Sequence, residues 1–162
     1  MTAREYFALP EPTGGFLWEL HFGELVRKDL PTKRAWNLKQ LIRDLLAKKL
    51  GRSWVVGMEL PYGLTLGNDV RAADVGVVPR KIWEAHPDAD CLIGSPDIVV
   101  QLAEEQDVLL HIIHGASAVW LVKPERREVV AVTASSRQVC TAVQTIPLPG
   151  SASIGVSDIF PA

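Results

Sequence analysis

The sequence lacks several features, and each absence narrows its class. It has only two cysteines, Cys91 and Cys140, too few for a disulfide framework and without zinc-site spacing, so they read as reduced thiols. Its longest apolar stretches, Asp97-Ile-Val-Val-Gln-Leu-Ala103 and Ala116 to Val122, are far too short to cross a bilayer, so no membrane is expected. The opening MTAREYFALPEP carries Arg4 and Glu5 and no apolar run, so it does not read as a signal peptide, and a cytoplasmic location is expected. No repeat or low-complexity linker breaks the chain, which points to one domain over residues 1–162. No glycine-rich phosphate loop follows a strand; Gly14-Gly15 is not one, so no small-molecule cofactor is expected.

What is present suits an ordinary globular core: 162 residues, 48% apolar and 22% charged. Net charge is −2 but unevenly spread, with ten Lys/Arg against six Asp/Glu in residues 1–52 and seven against thirteen in 53–162. The basic excess lies between Arg27 and Arg52. A basic helix there could track phosphates, with Arg34, Lys39 and Arg43 as DNA contacts. A solvated face is the plainer reading, because the chain as a whole is acidic.

Thr2 to Leu9 reads as a short helix capped by Thr2 and stopped by Pro10 and Pro12. Phe16 to Leu20 and Glu24 to Lys28 flank Gly23, which suggests a tight hairpin. The clearest helix runs from about Pro31 to Leu50. Its Leu38, Leu41, Ile42, Leu45, Leu46 and Leu50 recur at 3.6-residue spacing, Asp29 or Thr32 could cap it, and Gly51 stops it. Strands are expected at Ser53–Leu60, Ala73–Val78, Asp97–Ala103, Ala118–Lys123 and Glu128–Thr133. Asp97–Ala103 is almost continuously apolar and belongs at the sheet centre. Arg80 to Pro96 reads as a loop with at most one helical turn, Glu104 to Gly115 as a short helix, and Ile146 to Phe160 as an extended segment and turn. The fold class is α/β (α+β): a mixed central sheet with one long helix and a short N-terminal one.

This order of segments resembles the Uma-type family of restriction endonucleases, within the PD-(D/E)xK superfamily. The hairpin Trp18-Glu-Leu-His-Phe-Gly-Glu-Leu-Val26 and the long helix carry the likeness, as do Ala72-Ala-Asp-Val-Gly-Val-Val78 and Asp97-Ile-Val-Val-Gln-Leu-Ala103. It continues through Gly115 to Pro124, Arg126 to Val130, and Leu148-Pro-Gly150 to Phe160. The resemblance implies a restriction-endonuclease-like fold, a homodimer, possible DNA binding, and Mg²⁺ or Mn²⁺ as cofactor if the site is active. Such catalysis needs converging carboxylates to hold a hard cation, and a lysine to steady the attacked phosphate.

Mapped onto this chain, the resemblance makes Asp74 the metal-binding aspartate, with Ala73 in place of the preceding proline, and Glu19 an early glutamate that reaches the site. Gln101 stands where the catalytic glutamate belongs, and an amide brings no charge. Gln101 to Trp120 contains neither Lys nor Arg, so the lysine is missing from its place, and Lys123 lies at the far end of the next strand. Ser95-Pro-Asp97 is a literal Pro-Asp pair, but no acid-x-Lys follows it, and Asp97 reads as a strand opener. His111 and His114, three apart on a helix, read as structural or exposed; Glu104, Glu105 and Asp107 read as solvated acids at a helix start. The five tryptophans read as core or interface.

Two readings stand side by side. In one, the loss of a charge at Gln101 and of the lysine leaves a degenerate nuclease fold acting as a binding or assembly module. In the other, Asp74 and Glu19 anchor a rearranged, metal-dependent endonuclease. The second requires those two carboxylates to share one side of the sheet within about a side-chain length.

Overall fold

A computed structural model describes residues 1–102 and 105–162. Helix α1 (Ala3–Phe7) starts at a reciprocal cap: Thr2 Oγ1 accepts from the Glu5 amide at 3.2 Å, and Glu5 Oε2 accepts from the Thr2 amide at 2.7 Å. Strands β1 (Phe16–His21) and β2 (Glu24–Asp29) pair antiparallel around Phe22-Gly23. Both turn residues have positive φ, 50° and 91°, the backbone twist that joins two right-twisted strands through two residues. The long helix α2 (Lys33–Leu50) is capped by Thr32, whose hydroxyl accepts from Ala35 N at 3.2 Å, and ends at Gly51 with φ 76°. Cap, length and stop therefore agree with the sequence reading.

The remaining strands build a seven-stranded mixed sheet. In chain order these elements are β3 (Trp54–Gly63), β4 (Arg71–Pro79), helix α3 (Arg80–Trp83), β5 (Leu92–Ile93), β6 (Ile98–Gln101), helix α4 (Val108–Ile113), β7 (Ala118–Lys123), β8 (Glu128–Val132) and β9 (Arg137–Cys140). The strand order is β5-β3-β4-β6-β7-β8-β9, with β3–β5 and β6–β7 parallel and the other pairs antiparallel. A small hairpin of β10 (Thr145–Pro147) and β11 (Ser153–Gly155) and a last helix α5 (Val156–Ile159) follow.

Strand β6 lies fourth of seven, as its continuous apolar run demands. Val100 joins a core with Ile42 and Leu46 of α2, Trp120, and the tail residues Ile146, Ile154 and Ile159. Val99 joins a second core on the other face with Tyr62, Val108 and Val119. Ile42 and Leu46 are fully buried, each contributing roughly 1.5–3 kcal/mol of transfer free energy. This burial clamps α2 over β3 and β4. The β1–β2 hairpin forms its own sheet but is tied to the start of β4 by Leu20 and Val70, whose amides donate to each other's carbonyls at 2.8 and 2.7 Å. Helix, hairpin and sheet thus enclose one cleft.

The sequence reading differs from the structure at β5, β9, the β10–β11 hairpin and α5, all short. Ala103 and Glu104, assigned to a strand end and a helix start, lie outside the described residues; the helix itself spans Val108–Ile113. Among the described residues, no helix is long and apolar enough to cross a membrane.

Candidate active-site cleft

A cleft of about 340 Å³ opens between the hairpin, the first half of α2 and the sheet, with Glu19, Lys28, Lys39, Arg71, Asp74 and Gln101 in its wall. Asp74 sits in the middle of β4 and is 7% exposed. The pairs Met58–Val75 and Leu60–Ala73 bracket it against Glu59 on β3. Glu59 has φ 48°, a left-handed conformation that costs a non-glycine residue roughly 1–3 kcal/mol. Side-chain alternation slips at this point: Val75 and Val77 face the α2 core, whereas Ala73 faces the other. The irregularity brings the Glu59 and Asp74 carboxylates to the same two lysines.

Lys39 reaches the cleft from α2. Its Nζ lies 2.7 Å from Asp74 Oδ1 and 2.5 Å from Glu59 Oε1. Lys28 reaches it from β2, donating to the Ala72 carbonyl at 2.7 Å and to Glu59 Oε2 at 3.1 Å. The Lys28 ammonium is also 3.4 Å from Glu19 Oε1 and 3.5 Å from Asp74 Oδ1. The other carboxylate oxygens are engaged too. Asp74 Oδ2 accepts from the Leu102 amide at 2.7 Å. Glu19 Oε1 accepts from the Ala72 amide at 3.1 Å, and Glu19 Oε2 accepts from His21 Nε2 at 2.7 Å. Lys28 thus centres a shell of three carboxylates and one carbonyl, drawn from β1, β3 and β4.

Burial alone would raise the Asp74 carboxyl, but the Lys28 and Lys39 charges and the Leu102 amide outweigh it and hold Asp74 below the ordinary aspartate value. Glu19 is likewise held low: burial is outweighed by the His21 hydrogen bond, the Lys28 charge and the Ala72 amide. For Lys28, burial is outweighed by Asp74, Glu19 and Glu59, so its ammonium titrates above the ordinary lysine value. Asp74 and Glu19 on one side and the Lys28 ammonium on the other thus each favour the other's charged form.

Asp74 and Glu19 therefore meet across one ammonium on one side of the sheet, as the rearranged-site reading requires. Gln101 lines the cleft, but its amide turns to the chain beyond β6: Nε2 donates to the Gln106 carbonyl at 3.1 Å and Oε1 accepts from the Gln106 amide at 3.4 Å.

Two expectations are corrected. The expected absence of a lysine holds for Gln101–Trp120, yet Lys28 and Lys39 bring two to the carboxylates from elements earlier in the chain. Lys39 is not a phosphate contact on an open helix face; it is 4% exposed, because the turn it occupies is the one laid over β3 and β4. Arg34 is exposed, and the half-exposed Arg43 pairs with Asp44 at 2.5 Å.

Sequence reasoning missed Glu59 and the role of Lys28. A signal existed for Lys28: Glu19 pairs with Val26, so Lys28 is its diagonal neighbour on the same hairpin face. For Glu59 the only cue was a charge inside an apolar strand.

The other candidates fall outside the carboxylate cluster. Asp97 opens β6, its amide donating to Val77 O at 2.8 Å and its carboxylate accepting from Ser117 Oγ at 2.7 Å. His111 is buried, with Nδ1 donating to the Asp107 carbonyl at 2.8 Å and Nε2 accepting from the Tyr62 hydroxyl at 2.5 Å. Glu105 is paired with Arg137 at 3.0 Å. Asp107 lies exposed at the start of α4, as a solvated acid there would, and also binds the buried Arg71 at 2.6 Å, which in turn holds Asp69.

A hard divalent cation needs oxygens at about 2.0–2.6 Å. Every carboxylate oxygen of Asp74, Glu19 and Glu59 already faces an ammonium, an amide or His21, and Gln101 turns away. Among the described residues, no group of three His, Cys, Asp or Glu side chains is arranged to hold a metal ion. As arranged, these residues do not fit a catalytic metal.

The family described as Uma2, putative restriction endonuclease, matches residues 3–161. A solved structure described as a putative nuclease belonging to DUF820, from Anabaena variabilis, superposes with a TM-score of 0.78 at 18% identity, over 99% of this chain and 97% of that one. At that identity it establishes the fold and nothing finer. No curated protein matches the chain.

Proposed function

Because the chain belongs to the Uma2 family of restriction-endonuclease-like proteins, we propose that it keeps the nuclease-like fold as a binding or assembly module and has given up metal-dependent cleavage. The Lys28 ammonium carries this reading: it is centred among Glu19, Glu59, Asp74 and the Ala72 carbonyl, where a hydrolytic cation would gather the same oxygens. A metal offers open positions for water and phosphate and lowers the pKa of bound water. An ammonium balances the charge but offers no such position. Gln101, turned to Gln106 and without charge, does not restore what is lost.

DNA and a second copy of the chain are the partners that the family resemblance implies. Gel-shift titration over several salt concentrations tests the first, and light scattering the second. Purified protein is expected to leave supercoiled plasmid intact in Mg²⁺ and in Mn²⁺. Metal-dependent nicking that disappears in Asp74→Ala contradicts the proposal.

One observation favours the competing reading. Lys39 Nζ stands 2.7 Å from Asp74, so a lysine does accompany the aspartate, delivered by α2 instead of by the segment after Gln101. If cleavage is found, Lys39 is the group that replaces the missing lysine, and Lys39→Met should abolish it.

A further inference from the structure

We infer that the outward face of α4, with the neighbouring tip of β5, is a docking surface for a cationic amphipathic helix of another protein. This gives the binding reading above a surface and a partner chemistry. The surface lies apart from the carboxylate cluster, so either reading can fail without the other.

Two observations carry the inference together. The first is the inverted orientation of α4. Its sequence, Val-Leu-Leu-His-Ile-Ile, has one polar residue, and that residue, His111, is 1% exposed, held by the Tyr62 hydroxyl and the Asp107 carbonyl. Leu109 and Ile113 stand two residues to either side of His111, on the opposite side of the helix, and each is 74% exposed. Being four apart, they lie one above the other on a single face. An apolar pair at that spacing ordinarily faces a core. Here the histidine takes the inward position, and its two hydrogen bonds hold the pair outward. Ile93, at the tip of the edge strand β5, is a further exposed apolar side chain. The chain just after it is tied to the end of α4 by the Ser95 amide, which donates to the His114 carbonyl at 3.1 Å.

The second observation is charge. From Ile82 to Val122 the chain carries seven Asp or Glu and no Lys or Arg. Arg71 and Arg137 reach in from β4 and β9 to pair with Asp107 and Glu105, but Asp88 and Asp90 stand exposed just ahead of β5. Two copies of the chain meeting through this face would set acid against acid, a costly juxtaposition at an interface. A helix with a leucine or isoleucine stripe flanked by Lys and Arg covers the apolar residues and meets the acids with opposite charge.

The test uses the full chain and two labelled helical peptides with the same leucine stripe, one flanked by Lys and Arg and the other by Glu, read by fluorescence anisotropy. The cationic peptide should bind saturably, more tightly than the acidic one by about tenfold or more, and more weakly as salt rises. The double variant Leu109→Ser, Ile113→Ser changes only exposed positions, so its circular dichroism and thermal midpoint should match the parent's. Its affinity for the cationic peptide should fall by about tenfold or more. Asp88→Asn with Asp90→Asn should lose a smaller part of the affinity and flatten the salt dependence.

A cationic peptide that binds the Leu109, Ile113 double variant as tightly as the parent overturns the inference, as does a preference for the acidic peptide or the lack of saturable binding. A parent dimer in sedimentation that dissociates in the double variant also overturns it, because a second copy is then the occupant. Cleavage is read separately by the plasmid assay and is untouched by any of these results.

Discussion

Replacing Lys39 with methionine isolates the electrostatic part of the cleft. Methionine keeps most of the apolar stem that packs along α2 and removes only the charge. The lysine side chain is 5% exposed and its partner Asp74 8% exposed, so the variant leaves the buried Asp74 carboxylate, and the quarter-exposed Glu59 beside it, short of a partner. Breaking one side of a buried ion pair typically costs about 3–5 kcal/mol. Lys28 stays within 3.1 Å of Glu59 and 3.5 Å of Asp74, and the Leu102 amide stays on Asp74, so part of the cost is recovered. The expected loss is about 2–4 kcal/mol, or roughly 5–15 °C in melting midpoint for a chain of this size. Urea and thermal unfolding followed by circular dichroism read it directly. Adding Asp74→Asn to Lys39→Met should restore a sizeable part of the loss, because the uncompensated charge goes with it. A Lys39→Met variant within about 0.5 kcal/mol of the parent, the range of ordinary surface substitutions, would refute the buried-pair argument.

Other consequences follow from the same geometry. Asp74 and Glu19 titrate below their ordinary values when folded; their contribution is present above the unfolded values near pH 4 and disappears as pH falls through the folded ones. The urea midpoint of the parent should therefore drop more steeply below about pH 4 than that of Asp74→Asn. His111 is held below the ordinary histidine value, first by burial, so protonation opposes folding and stability should decline as pH falls below about 6.5. In His111→Gln that part of the pH profile should flatten; an unchanged profile would mean that His111 titrates freely. Charge reversal at Arg34 and Arg43 should weaken any DNA binding and reduce its salt slope, whereas unchanged affinity would make that helix face merely solvated.

The elements legible in the sequence were those that carry their own signals. The hairpin announced itself through Gly23, α2 through its 3.6-residue stripe and its stop at Gly51, and β6 through an apolar run that only a sheet centre accommodates. The elements not legible were held by tertiary contacts. Strand β5 is two residues long and exists because Leu92 and Ile93 lie alongside Tyr62 and Gly63. The β10–β11 hairpin is interrupted by prolines and glycine and is held by burying Ile146 and Ile154 in the α2 core.

The site was half legible for the same reason. Asp74, Glu19 and Gln101 could be placed because they lie on strands whose order was recognisable. Lys39 was read from its neighbours as one of a run of solvated cations, since helical periodicity reports the apolar stripe and not which polar residue flanks the sheet. Glu59 reaches the cluster through a left-handed backbone conformation on β3 that no local signal in the sequence announced.

The measurement that tests the central claim most directly is nicking of supercoiled plasmid by stoichiometric purified protein in Mg²⁺ and then Mn²⁺, with Asp74→Ala run beside it. The account predicts no difference between the two proteins and no metal-dependent product. Cleavage by the parent, abolished by Asp74→Ala, would show that a metal displaces Lys28 from the carboxylates and that the fold is a working nuclease.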